Sequence, residues 1–251
     1  MKAGKYYLDV VLKSQGMAVH NRLHARSFSV NILRMNAQEL AEAIDITEHP
    51  QVMTEVFKQE NESATDQMHR EANRLVHNYV CSVSTFADHS RNFMNLHYKG
   101  TEFHEDYLGE VKQVFDEGER SRFVRGLRNF ITHRGLPASS IELHMEAIGE
   151  PNDEGGVPAA VRASVYYKKE RFLDWDGWTA PARRFLDQGP DKLPLRYIFE
   201  PHFQTMEKFN EWFEERYREH HKSELEELDL LQERLALLES EEAADARESD
   251  E

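Results

Sequence analysis

Along most of the chain apolar residues recur every three or four positions, and in one region the period drops to two. The clearest helical stretch covers residues 65–97, with a stripe at Ala72, Leu75, Tyr79, Val83, Phe86 and Phe93. A short helix is expected over 37–45, with Asn36 as its cap, and another after Pro50 through Val52, Val56 and Phe57. Residues 102–115 form a further helix, which leads through Asp116-Glu117-Gly118 into a helix ended by Gly135, Leu136 and Pro137. Residues 1–35 are mixed: Tyr6–Leu12 and Phe28–Leu33 fit a short strand as well as a helix.

The period then changes. Ile141, Leu143, Met145 and Ala147 alternate with polar neighbours, and Val161, Ala163, Val165 and Tyr167 do the same beyond Gly155-Gly156. Two alternating runs joined by a polar, glycine-containing loop predict a β-hairpin, taken as an insertion over about 139–170 that decorates a helical body. Trp175-Asp176-Gly177-Trp178 ends it, and Thr179-Ala180-Pro181 opens a short helix to Gln188. A last long helix is expected from Pro201 to Ser240. Its first half carries a core-type aromatic line (Phe203, Met206, Phe209, Trp212, Phe213, Tyr217), and its second half a leucine seam at Leu228, Leu231, Leu235 and Leu238. That seam suits a dimer or a partner helix. The fold class is therefore mainly α, an antiparallel helical bundle with an inserted β-hairpin and a long C-terminal helix. In domain terms this gives an unassigned N-terminal segment 1–35, a helical domain 36–240 and a disordered acidic tail 241–251.

The helix before Gly135 carries the candidate chemistry. At about 100° per residue, Phe123, Val124, Leu127, Phe130 and Ile131 form one buried stripe. Arg122, Asn129 and His133 share the opposite face, flanked by Arg125 and Arg128, with Arg134 following. A polar face is expected on any surface helix. This one is almost wholly cationic or imidazole in a chain of net charge −15. A like-charged face on one helix suits an anion. A guanidinium binds two phosphate oxygens and stabilises charge growing on them. An imidazole can take a proton from one oxygen and give one to another, as in-line attack by a ribose hydroxyl requires. Asn129 can fix the imidazole or hold the sugar. One helix supplies one histidine, whereas acid–base cleavage uses two, so a two-fold dimer joining two such faces is expected.

Charge location qualifies the negative total. Residues 224–251 hold twelve acidic and two basic residues, whereas 120–134 hold five arginines and no acidic residue. A local cationic face can bind phosphate on an acidic molecule, with affinity that is sensitive to salt. The acidic tail, as a mobile polyanion, is a candidate to occupy that face as an RNA mimic. A polar line on the long central helix (Asn73, His77, Ser84, Asp88, Arg91) reads first as a solvated face; its sharper reading has His77 or Asp88 orienting Arg128 or His133 across a wet cleft.

The run Arg128-Asn129-Phe130-Ile131-Thr132-His133, an arginine, a polar residue and a histidine five positions after the arginine, resembles the signature of the HEPN superfamily, over residues 37–136. These are all-helical domains, many of them ribonuclease toxins or host-defence effectors active against phage and other viruses. The resemblance implies metal-independent cleavage of RNA with Arg128 and His133 catalytic, Asn129 supporting them, and a homodimer interface that joins two motifs. Arg122, Arg125 and Arg134 would bind substrate, and an antitoxin or other regulatory protein is an implied partner. Many members of the superfamily are binding modules without nuclease activity. A reading of a different class therefore stands beside it: a non-catalytic helical scaffold that docks an acidic partner on the cationic face and assembles through the leucine seam.

The remaining composition excludes more than it suggests. A single cysteine, Cys81, rules out a disulfide framework and suits a reducing compartment. The early apolar run is broken by Asp9, and no stretch approaches membrane-spanning length, so a cytoplasmic protein without a membrane partner is expected. The thirteen histidines show no zinc-type spacing, and there is no phosphate-cradling glycine loop or nucleophile elbow. No metal and no cofactor are expected.

Overall fold

The computed structural model describes residues 3–58, 62–147 and 159–248. It is mainly helical with one small antiparallel sheet, as the sequence periods require. In chain order the elements are α1 (Ala3–Lys13), α2 (Gln15–Glu48), α3 (Pro50–Val56), α4 (Glu62–His97), α5 (Glu102–Val111), a π-helical turn (Lys112–Asp116) and α6 (Glu119–Arg134). They continue as β1 (Ser139–Ala147), β2 (Ala159–Lys168), α7 (Glu170–Leu173), α8 (Ala180–Gln188), β3 (Lys192–Pro194), α9 (Leu195–His220) and α10 (Lys222–Glu248).

The N-terminal segment is helical, and the short helix expected at 37–45 is the end of one 34-residue helix. Ser14 caps α2, its Oγ accepting from the Met17 N–H at 3.1 Å, and the helix stops at the residues before Pro50, where proline disfavours helical backbone. Asn36 is not a cap: it lies mid-helix and its Nδ2 donates to the Ile32 carbonyl at 2.8 Å. The buried face of α2 runs through Val19, Arg26, Val30, Leu33, Ala37, Leu40 and Ile44 and packs against α4. The α4 stripe is buried as its spacing predicts, and Tyr79, Phe86 and Phe93 make edge-to-face contacts with Phe199, Phe209 and Phe213 of α9.

The expected last helix is two helices. The first begins at Leu195, so Pro201 is inside it. The second begins after His221, which is buried with its Nε2 2.9 Å from the Tyr98 hydroxyl. That break turns α10 back over α1 and α2, and Gly16 allows the close approach: a Cβ there would lie 2.2 Å from the Glu224 carbonyl oxygen. The leucine seam is therefore used within the chain. Leu228 is buried, Leu231, Leu235 and Leu238 are half-buried, and α10 packs on α1 and α2. Instead of a disordered tail from 241, helix continues to Glu248, and Glu242 accepts from the Gly4 N–H at 2.9 Å.

The expected hairpin forms, with Ile141 opposite Val165, Leu143 opposite Ala163 and Met145 opposite Val161. Its Gly155-Gly156 loop lies outside the described residues. A third strand, β3, extends the sheet in the order β1-β2-β3. The hairpin is more than a decoration, because Val165 and Tyr167 are core residues. Tyr167 is fully buried and donates to Asn73 of α4 at 3.2 Å, and Ser139 Oγ lies 2.9 Å from His69 Nδ1.

Candidate functional site

α6 is held from behind by aromatic packing. Phe123, Val124, Leu127 and Phe130 are buried and Ile131 is half-buried, as its stripe predicts. Trp178 stacks on Phe123 at 5.0 Å and on Phe130 at 5.8 Å, and its indole N–H donates to the Phe172 carbonyl at 2.7 Å. Gly126 lets that indole approach the helix: a Cβ there would be 2.8 Å from Trp178 Cζ3. Gly135 stops α6 with φ +96°, a conformation suited to glycine. The outer face is thus carried on a rigid support, a requirement for precise placement of reacting groups.

That face divides into two halves. In the N-terminal half the charge is largely engaged. Arg120 turns inward over the rings of Phe185 and Tyr197, at 5.5 and 5.3 Å. Arg122 pairs with Asp116 at 3.1 Å, and Arg125 lies 4.0 Å from the same carboxylate. In the C-terminal half Arg128, Asn129, Thr132 and His133 are exposed. Among the described residues the side chains of Arg128, Asn129 and His133 have no hydrogen-bond or ion-pair partner, whereas Thr132 Oγ1 donates to the Arg128 carbonyl at 2.9 Å. Arg134 reaches the Asp174 carbonyl at 3.4 Å. The free cationic surface of α6 is accordingly narrower than the sequence implies, because Asp116 sits three-dimensionally beside two of its five arginines.

The proposed supporting residues lie elsewhere. Asp88 pairs with Arg91 on its own helix at 2.9 Å, and His77 is exposed with its Nε2 3.7 Å from Cys81 Sγ. Within the chain neither reaches Arg128 or His133, and Ser84 is spent on the Val80 carbonyl. Of the polar line, Ser84 and Arg91 share a cavity with Arg125 of α6, whereas His77, Asp88, Arg128 and His133 do not line it. Cys81 is half-buried.

At the C-terminal end of α6, an open groove of about 600 Å³ is lined by Arg134, Leu136, Glu170, Arg171, Asp174 and Trp175; His133 is not among its lining residues. Arg171 and Trp175 were missed in the sequence. The Trp175–Trp178 turn is visible there, but only folding brings it against the end of α6. Among the described residues no group of three or more His, Cys, Asp or Glu side chains is placed to hold a metal ion, and no helix is long and apolar enough to cross a membrane. Comparisons with family models, with curated proteins and with solved structures found no match.

Proposed function

We propose that the outer C-terminal face of α6 cuts RNA, with two copies of the chain forming a metal-independent endoribonuclease site of the HEPN type. The observation that carries this reading is the joint exposure of Arg128, Asn129 and His133 on one rigidly backed helix, without partners among the described residues. An unpaired guanidinium on a surface is a resource for a ligand, since structural arginines are ordinarily paired or stacked.

In the proposed reaction one His133 takes the proton of the ribose 2′-hydroxyl, whose oxygen attacks the adjacent phosphorus. His133 of the second copy protonates the departing 5′-oxygen, so the P–O bond forms and breaks in line with no net change in protons. Arg128 holds two non-bridging oxygens and offsets the charge that develops on them. Asn129 hydrogen bonds the ribose or the phosphate. The groove that Arg134 borders offers Trp175 and Arg171 to stack on a base and Glu170 and Asp174 to accept from sugar or base donors, which suits single-stranded RNA with unstacked bases. Arg134 extends the backbone contact, while Arg122 and Arg125, shared with Asp116, contribute weakly.

The test is the chemistry of the products. Incubation of single-stranded RNA with the purified protein in chelator is expected to leave 2′,3′-cyclic phosphate ends, and the same RNA with a 2′-deoxy substitution at the cut site is expected to stay whole. Cleavage of the deoxy substrate would refute attack by the ribose hydroxyl. Binding without cleavage would favour the helical scaffold.

A further inference from the structure

On the other side of α6 a separate cavity of about 110 Å³ lies between α4, α5, the π-helical turn, α6 and α9. Its size is of the order of engineered apolar cavities of about 150 Å³ that take up benzene. The walls are largely apolar and aromatic, with Phe86, Phe115 and Phe209 prominent. Two polar side chains that line it are almost wholly enclosed: Ser90 and His202 are each 1% exposed. Among the described residues Ser90 Oγ and His202 Nε2 have no hydrogen-bond partner. The other ring nitrogen of His202 is taken, at 2.7 Å from the Tyr79 hydroxyl. Burial, with the charge of Arg120 adding to it, lowers the His202 pKa to about 3, so the ring is neutral. The Tyr79 hydroxyl has no other acceptor among the described residues, so it donates to Nδ1, and Nε2 carries a hydrogen that is left unpaired at the cavity.

Two cationic side chains complete the lining. Arg91 and Arg125 border the cavity, with exposed guanidinium ends. Tyr107 also lines it, and its hydroxyl is pushed up to about 12 by burial while the charges of Arg26, Arg91 and Arg125 pull it the other way. Arg26 itself is deeply buried, stacked 3.7 Å over Phe213 and hydrogen bonded to Asn210 at 2.7 Å, with no carboxylate in direct contact. Asp88 and Asp116 each share one of the two outer arginines. The remaining wall includes the π-helical turn, a distortion that recurs at functional sites.

We infer that this cavity binds a small ring-bearing carboxylate that carries a second oxygen on the end remote from its acid group. The ring fills the aromatic chamber, the carboxylate meets Arg91 and Arg125, and the second oxygen accepts from His202 Nε2. The buried N–H is then matched, which a purely apolar guest would leave unpaired at a cost. The site is independent of the RNA-cutting reading, although Arg125 belongs to both faces of α6.

Isothermal titration calorimetry on the full chain tests this with 4-hydroxybenzoate, benzoate and phenol as probes. Both carboxylates are expected to bind, phenol at least about tenfold more weakly, since a hydrogen-bonded charge pair is worth that much or more. Arg91→Gln should weaken the carboxylates about tenfold and leave phenol unchanged. His202→Phe should erase the preference for 4-hydroxybenzoate over benzoate. Ala87→Leu, which fills the lining, should abolish binding of all three while the circular dichroism spectrum is retained. Absence of binding at millimolar probe by the folded wild type overturns the site, as does unchanged binding by Ala87→Leu. Phenol binding as tightly as the carboxylates overturns the assignment of an anion.

Discussion

Arginine is used in opposite ways on α9 and α6. On α9, Arg196 reaches Glu48 and Asp45 of α2, and Arg216 holds Asp106 of α5 and Glu219, while Arg34 of α2 grips Glu207 with both carboxylate oxygens within 3.0 Å. These guanidinium groups join helices whose cores already touch. On α6, Arg128 has no such partner among the described residues, and behind it lies stacked aromatic packing. The same residue type thus acts as a helix-to-helix tie in one layer and as an unengaged binding group in another. Partnering, not residue identity, separates the two uses.

Substitutions that exchange these uses should have very different consequences. The largest effect is expected for Arg128→Gln, which should slow RNA cleavage by about a hundredfold or more, as for removal of one transition-state donor. Arg128→Lys should recover little, since an ammonium lacks the two-pronged geometry. Single-turnover rates at equal stability check both. Next, Gly126→Ala drives a Cβ into the Trp178 ring, which Phe123 and Phe130 hold in place. It should cost about 1–3 kcal/mol by urea unfolding.

Acid should act through the buried layer. The pKa of His202 is lowered in the folded chain, to about 3, so its contribution to stability is complete above about pH 6.5 and is lost as pH falls towards the folded value. Urea midpoints measured between pH 7 and 5 should fall more steeply for the wild type than for His202→Gln. The smallest effect is expected for Arg34→Gln. Its pair with Glu207 is partly exposed, so about 1 kcal/mol or less should be lost in thermal unfolding, with RNA cleavage unchanged. A large loss of cleavage there would break the distinction between tying and binding arginines.

The chain made some of this legible and hid the rest for identifiable reasons. The stripe of α4 and the two faces of α6 are read from spacing because their buried positions are mostly apolar, with Ser82, Ser90 and Ser121 as polar exceptions. α2 is hidden by its own buried polar residues: Arg26, Ser29 and Thr47 interrupt an otherwise regular stripe and find Asn210, His89 and the Ile44 carbonyl only after folding. The break at His221 depends on Tyr98, far away in sequence. Likewise, nothing within α6 announces that Asp116 engages Arg122 and Arg125, that Trp175 and Arg171 share a groove with Arg134, or that α10 spends its leucines on α1 and α2. The motif is local chemistry and can be read, whereas its surroundings are tertiary and cannot.

The most direct test compares wild type with His133→Ala on single-stranded RNA, with EDTA present. His133 is exposed and makes no side-chain hydrogen bond or ion pair among the described residues, so its replacement should leave the unfolding midpoint unchanged. Cleavage by the wild type and a loss of about a hundredfold or more in the variant are predicted, in line with general acid–base contributions. Equal cleavage by both proteins, or none by a folded dimeric wild type, would contradict the account.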